Sequence, residues 1–151
     1  GRLKRLKKYL GDETFFMTYG DGISNIDLNK LLRFHKKNQS LVTLSAVRPP
    51  ARFGFLRLSG NKVISFKEKS QLDVGWINGG FFVMEPGFID YIKSDKTYLE
   101  REPLEEIAKE KKISAYKHHG FWQCMDTKRD KDKLDEISHS ENIPWIRSEE
   151  N

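Results

Sequence analysis

The sequence has one cysteine, Cys124, among its 151 residues, so no disulfide can form within the chain. A structural zinc cage is excluded with it, since neither a second thiol nor a clustered set of histidines is there to complete one. Cys124 reads as a buried, inert thiol. Long apolar runs are also missing. Nothing approaches the roughly 20 residues that cross a bilayer, and the opening GRLKRLKKYL lacks the apolar block of a secretory leader. The expectation is a cytoplasmic protein with no membrane partner. No internal repeat or low-complexity linker divides the chain, and its length fits one domain over residues 1–151.

A broad excess of one charge is absent too. The formal net charge is +5, and Arg2, Lys4, Arg5, Lys7 and Lys8 supply it all, leaving the remainder balanced. Leu3, Leu6 and Leu10 recur at i, i+3 and i+7 within this basic stretch, which predicts one amphipathic helix with a solvated charged face. Nucleic-acid recognition needs a wider basic surface or a recognisable module, so no nucleic-acid partner is expected. The chain opens in mid-pattern, with no cap sequence or preceding strand. It is therefore expected to be the later part of a longer protein.

What is there reads as a folded α/β chain, 37% hydrophobic and 12% aromatic. FFMTY (15–19) predicts a buried strand ending at Gly20-Asp21-Gly22. Leu28, Leu31 and Leu32 follow at helical spacing behind Asp27 as an N-cap, and LVTLSAV (41–47) predicts a second buried strand stopped by Pro49-Pro50. Strand, helix, strand in this order predicts a sheet with parallel neighbours. FGFLRLS and KVISFKEK flank Gly60-Asn61 as an antiparallel hairpin. NGGFFVM (78–84) is a further strand, with short helices from Pro86 and Pro103, the second striped by Leu104, Ile107 and Ala108. ISAYKHH (113–119) and GFWQCMD (120–126) are the last strand-like stretches, before a helix capped by Thr127 with Asp130 three residues on.

Two aspartates share an unusual setting: Asp21 follows FFMTYG, and Asp126 follows FWQCM directly before a helix. In open α/β sheets ligands gather beyond the carboxyl ends of the strands, where such a pair suits Mg²⁺, a cation that takes one or two carboxylates and completes its shell with substrate phosphates. Turn formation at Asp-Gly and ordinary helix capping account for the same residues without a metal. Glu68 and Lys69, leaving a strand in FKEKS, combine an acceptor for sugar hydroxyls with a cation for phosphate, or are simply solvated. In WINGGFFVM, Gly79-Gly80 marks a bulge or close approach of a ligand, and Asn78 beside it offers a donor and an acceptor. Gly54 in RFGF poses the same choice. His118 and His119 show no triad spacing and read as structural.

Taken together and in order, TYGDG, RFG, FKEK, WINGGFFVM, REPLE and GFWQCMDT resemble the sugar-1-phosphate nucleotidyltransferases, over nearly the whole chain. The resemblance implies a Rossmann-like α/β fold with a mixed sheet and an antiparallel hairpin excursion. It also implies a Mg²⁺-dependent transfer in which a sugar phosphate oxygen attacks the α-phosphorus of a nucleoside triphosphate and pyrophosphate leaves. The branch it resembles uses CTP and glucose 1-phosphate and often forms homo-oligomers; UTP or dTTP is the alternative nucleotide. By the family pattern Asp21 and Asp126 hold Mg²⁺ and Lys69 contacts the sugar phosphate. Glu68 and Asn78 grip hexose hydroxyls, Gly79 lies against the substrate and Gly54 leaves backbone room for the sugar. Ser70 stands where the family usually has proline, and the family's loop G-G-x-G-T-R does not occur in these 151 residues. The implied chain is a C-terminal portion carrying the sugar and metal half of the site, weakly active or inactive alone. A non-catalytic sugar-phosphate-binding or assembly module is the reading from another class.

Overall fold

The computed structural model describes residues 1–49, 54–67 and 75–146. Its elements run α1 (Arg2–Arg5), α2 (Lys7–Leu10), β1 (Phe15–Thr18), β2 (Gly22–Ser24), α3 (Leu28–Asn38), β3 (Val42–Val47), β4 (Phe55–Ser59), β5 (Lys62–Lys67) and β6 (Ile77–Met84). A 3₁₀ helix (Pro86–Tyr91), α4 (Glu102–Lys109), β7 (Ile113–Lys117), β8 (Trp122–Cys124) and α5 (Lys128–Ser138) complete the order.

A four-stranded sheet of order β1-β6-β3-β7 organises the chain. Strands β3 and β7 are parallel, while β6 runs antiparallel to both its neighbours, so the sheet is mixed. The strand-helix-strand order predicts β1 and β3 as parallel neighbours, and the structure corrects this: the parallel neighbours are β3 and β7. Strands β1 and β3 point the same way but are separated by β6, which returns late in the sequence to fill the gap.

The apolar run FFVM in β6 serves both faces of this sheet. Phe82 and Met84 join Phe15, Val42, Phe88, Leu104 and Ile107 on one side, under the 3₁₀ helix and α4. Val83 meets Ile26 and Leu31 on the other, under α3. Alternate side chains of a strand face opposite ways, so a strand covered on both sides has to be apolar throughout. The edge strand β1 differs: Phe15 is buried, but Phe16 on its other face is 45% exposed, which corrects the expectation of a fully buried strand.

Asp27 caps α3 as expected, its carboxylate accepting the Lys30 backbone N–H at 2.9 Å. Thr127 and Asp130 form the reciprocal capping box of α5. In α4, Leu104 and Ile107 are buried but Ala108 is exposed, narrowing the expected stripe. The basic N-terminal stretch forms two short helices rather than one, because the chain tightens at Leu6, whose N–H bonds to Leu3 O at 3.0 Å. Its charges lie against the segment after β6: Arg5 pairs with Asp95 at 2.8 Å and Lys7 with Asp90 at 2.7 Å.

The hairpin β4–β5 turns at Gly60-Asn61 with Ser59 opposite Lys62, as its sequence requires. A separate two-stranded ribbon, β2 against β8, pairs Gly22 with Cys124. Among the described residues no helix is long and apolar enough to cross a membrane.

Candidate active site

The β2–β8 ribbon brings the two singled-out aspartates to adjacent backbone positions. Asp21 immediately precedes β2, and its carbonyl accepts the Met125 N–H at 2.8 Å, one residue before Asp126. Both aspartates are exposed. Asp126 directly precedes the N-cap Thr127, so it stands at the positive end of the α5 dipole, where a carboxylate is stabilised. The ribbon is tied to the sheet by Trp122, whose indole N–H donates to Gly79 O at 2.8 Å. Cys124 is half-buried rather than enclosed, and its thiol donates to Asp126 Oδ2 at 3.3 Å.

Asp21 lies on the rim of an open cleft of about 700 Å³ with Tyr19, Gly20, Leu99 and Glu100. The Tyr19 hydroxyl donates to Glu100 Oε1 at 2.6 Å and accepts from Asn78 Nδ2 at 3.1 Å. Burial, then the Glu100 bond, pushes the Tyr19 phenol well above its usual range, so it remains a donor at any working pH. Asn78 Oδ1 in turn accepts the Gly80 N–H at 2.9 Å. Asn78 is therefore held at both ends, and one amide hydrogen and one lone pair remain for another partner.

The glycine pair has a cause within the protein itself. A Cβ on Gly79 would stand 2.6 Å from Ser45 Oγ and 2.8 Å from Val47 Cγ1, and the β3–β6 register shifts opposite it, between Leu44 and Ala46. Gly80 has φ +78 and packs against the Tyr19 ring. Gly54 precedes β4 and is exposed. Glu68 and Lys69 lie outside the described residues. Among those that are described, no group of three or more His, Cys, Asp or Glu side chains could hold a metal. Asp21 and Asp126 offer a carboxylate pair. It fits Mg²⁺ in number and hardness, since that ion takes few protein ligands and leaves positions for phosphate oxygens.

Tyr19 and Glu100 escape a reading of the sequence. Tyr19 passes for the last residue of an apolar strand, and Glu100 stands just before REPLE, where acids are explained by the helix dipole. An aromatic hydroxyl directly before Gly-Asp-Gly is the one local signal.

A mixed α/β sheet with two aspartates brought together on an adjoining ribbon defines the architecture, and sequence comparison gives it a family: residues 3–128 match the nucleotidyl transferase family, to which the chain belongs. It is 45% identical over 146 residues to the glucose-1-phosphate cytidylyltransferase of Salmonella typhi, covering 96% of this chain and 57% of that protein. To mannose-1-phosphate guanylyltransferase 1 of Arabidopsis thaliana it is 32% identical over 123 residues, 78% of this chain and 34% of the relative. In fold it matches HddC from Yersinia pseudotuberculosis with a TM-score of 0.61 at 21% identity, covering 87% of this chain and 58% of that structure. The chain thus spans little more than half the length of its Salmonella relative.

Proposed function

We propose that the chain carries the sugar-phosphate and metal half of a glucose-1-phosphate cytidylyltransferase, which forms CDP-glucose and pyrophosphate from CTP and glucose 1-phosphate. The observation that carries this reading is the 45% identity to the Salmonella enzyme over 96% of the chain. The adjacency of Asp21 and Asp126 across the β2–β8 ribbon supports their role as Mg²⁺ ligands. When bound, the cation neutralises phosphate charge and holds the two substrates in line. Asn78, fixed by Tyr19 and Gly80, turns its remaining amide hydrogen to a hexose hydroxyl. Lys69 meets the sugar phosphate, Glu68 the hydroxyls, and Gly54 leaves room beside the ring. Phosphoryl transfer of this kind depends on positioning and charge neutralisation more than on a protein nucleophile.

These 151 residues contain no G-G-x-G-T-R run to cradle a triphosphate on backbone N–H groups. The chain alone, given CTP, glucose 1-phosphate and Mg²⁺, is expected to release little or no pyrophosphate. It should still bind glucose 1-phosphate in a Mg²⁺-dependent way by calorimetry, and Asp21→Asn should remove that dependence. Robust turnover by the chain alone would overturn the division of the site. Absence of any binding would overturn the sugar-phosphate reading.

Among the described residues no strand pairs with the outer edge of β1, which favours a second reading, an assembly module that associates with another copy through that edge. A sizing measurement that finds only monomer at all concentrations would remove it.

A further inference from the structure

A second cleft, of about 520 Å³, opens where the carboxyl ends of β3 and β7 meet the start of β6 and the middle of α5. Arg48, Trp76, His118, His119 and Lys133 line it, and no carboxylate is among its described lining residues. Its centre is Trp76. The Arg48 guanidinium lies 4.9 Å and Lys117 Nζ 5.6 Å from the ring centroid, and His119 meets the ring edge-on at 5.3 Å. Two cationic side chains, Arg48 and Lys117, and the imidazole of His119 are thus gathered on one indole.

Such a gathering is unfavourable unless something negative offsets it, because like charges in a partly dry cleft repel more than in water. The indole faces offset part of it. The Arg48 Nε is buried and has no hydrogen-bond partner among the described residues. An unpaired buried donor is costly, and native proteins keep few of them. The Nε edge of a guanidinium is also an edge that grips an oxyanion with two parallel bonds. Lys133 gives one bond to Gln123 Oε1 at 3.1 Å and has two further donors. His118 donates Nε2–H to Phe121 O at 3.1 Å, and burial lowers its pKa, so it lines the cleft as a neutral ring.

We propose that this cleft is a binding site for a phosphate-class oxyanion, gripped by Arg48 with Lys133 supplying charge. The site is separate from the Asp21–Asp126 pair and needs no metal. It does not depend on the proposed transferase activity, because its recognition is of the anion alone.

Fluorescence of the chain, which has three tryptophans including the flanked Trp76, reads occupancy directly. Inorganic phosphate, pyrophosphate and glucose 1-phosphate are titrated without Mg²⁺ at constant ionic strength, with chloride as the control. A saturable change with at least one phosphate species and none with chloride is expected, and the species that binds most tightly names the ligand's source. Arg48→Met, which keeps the stem over Trp76, should weaken binding about tenfold or more, and Arg48→Lys should restore only part of it. Asp21→Asn should bind as the unaltered chain does. A response that merely follows ionic strength overturns the proposal, as does undiminished binding by a folded Arg48→Met. Binding that requires Mg²⁺ and disappears in Asp21→Asn overturns it as well, while supporting the carboxylate pair as the phosphate site. If Arg48→Met fails to fold, loss of binding in Lys133→Gln decides in favour, and unchanged binding there decides against.

Discussion

Strand β6 and the β4–β5 hairpin are both rich in large apolar residues and end up in opposite environments. In β6, Phe82, Val83 and Met84 are wholly buried, each face of the strand covered by helices and each edge by another strand. In the hairpin, Leu56, Leu58, Val63, Ile64 and Phe66 are all more than half exposed, and the two strands pair only with each other. Bulky apolar residues specify a strand in both places, as a continuous run in β6 and interspersed with polar residues in the hairpin. Burial comes from what the rest of the chain brings over it: α3, α4 and the 3₁₀ helix for β6, and nothing among the described residues for the hairpin. Of the candidate site residues, Asn78 in β6 and Tyr19 after its partner β1 lie on the well-supported side of this contrast, while Gly54 directly precedes the hairpin.

The contrast is tested most severely at Phe82. Truncation to alanine removes a fully buried ring shared by β1, β3 and the α4 layer, and a loss of about 3–5 kcal/mol is expected in chemical denaturation. A loss below about 1 kcal/mol would mean that the sheet core is loosely packed and that the two regions differ less than their exposure suggests.

Tyr19 stands between the regimes, its ring 5.4 Å from Phe82 and its hydroxyl on the rim of the cleft. Tyr19→Phe retains the packing and deletes the hydroxyl, leaving Asn78 Nδ2 and Glu100 each short of a partner. The expected cost in stability is about 1–2 kcal/mol. A shifted, faster-exchanging Asn78 side-chain amide in the nitrogen-15 spectrum should accompany it. An unmoved amide would show that Asn78 is fixed by Gly80 alone.

Sequence patterns reveal most of the elements and much less of their surroundings. The cap at Asp27, the box at Thr127 and Asp130, and the turn at Gly60-Asn61 are local chemistry, so a few residues suffice to find them. That β6 lies between β1 and β3 is not local, because NGGFFVM carries no mark of which strands it will join. Nor does FFMTY disclose that α3 leaves one face of β1 open and Phe16 exposed. The same division holds at the sites. Asp21 and Asp126 stand out because each ends a strand-like run, and their adjacency then follows from the ribbon. Arg48 and Trp76 are distant in sequence with no pattern joining them, and only the folded chain places one over the other.

The smallest effect belongs to the hairpin. Phe66 is paired across the strands with Leu56 and is 64% exposed, so Phe66→Ser gives up one cross-strand contact and little buried area. A stability change of at most about 0.5–1 kcal/mol is expected, together with a lower tendency to self-associate, because an exposed apolar strand edge loses its largest ring. Thermal melting and light scattering measured on the same samples separate the two outcomes. A loss near that of Phe82→Ala would mean that Phe66 packs into a core after all and would erase the contrast between the two regions. A small stability change with unaltered association would keep the contrast and assign any self-association to the open edge of β1, beside Phe16, instead of to the hairpin face.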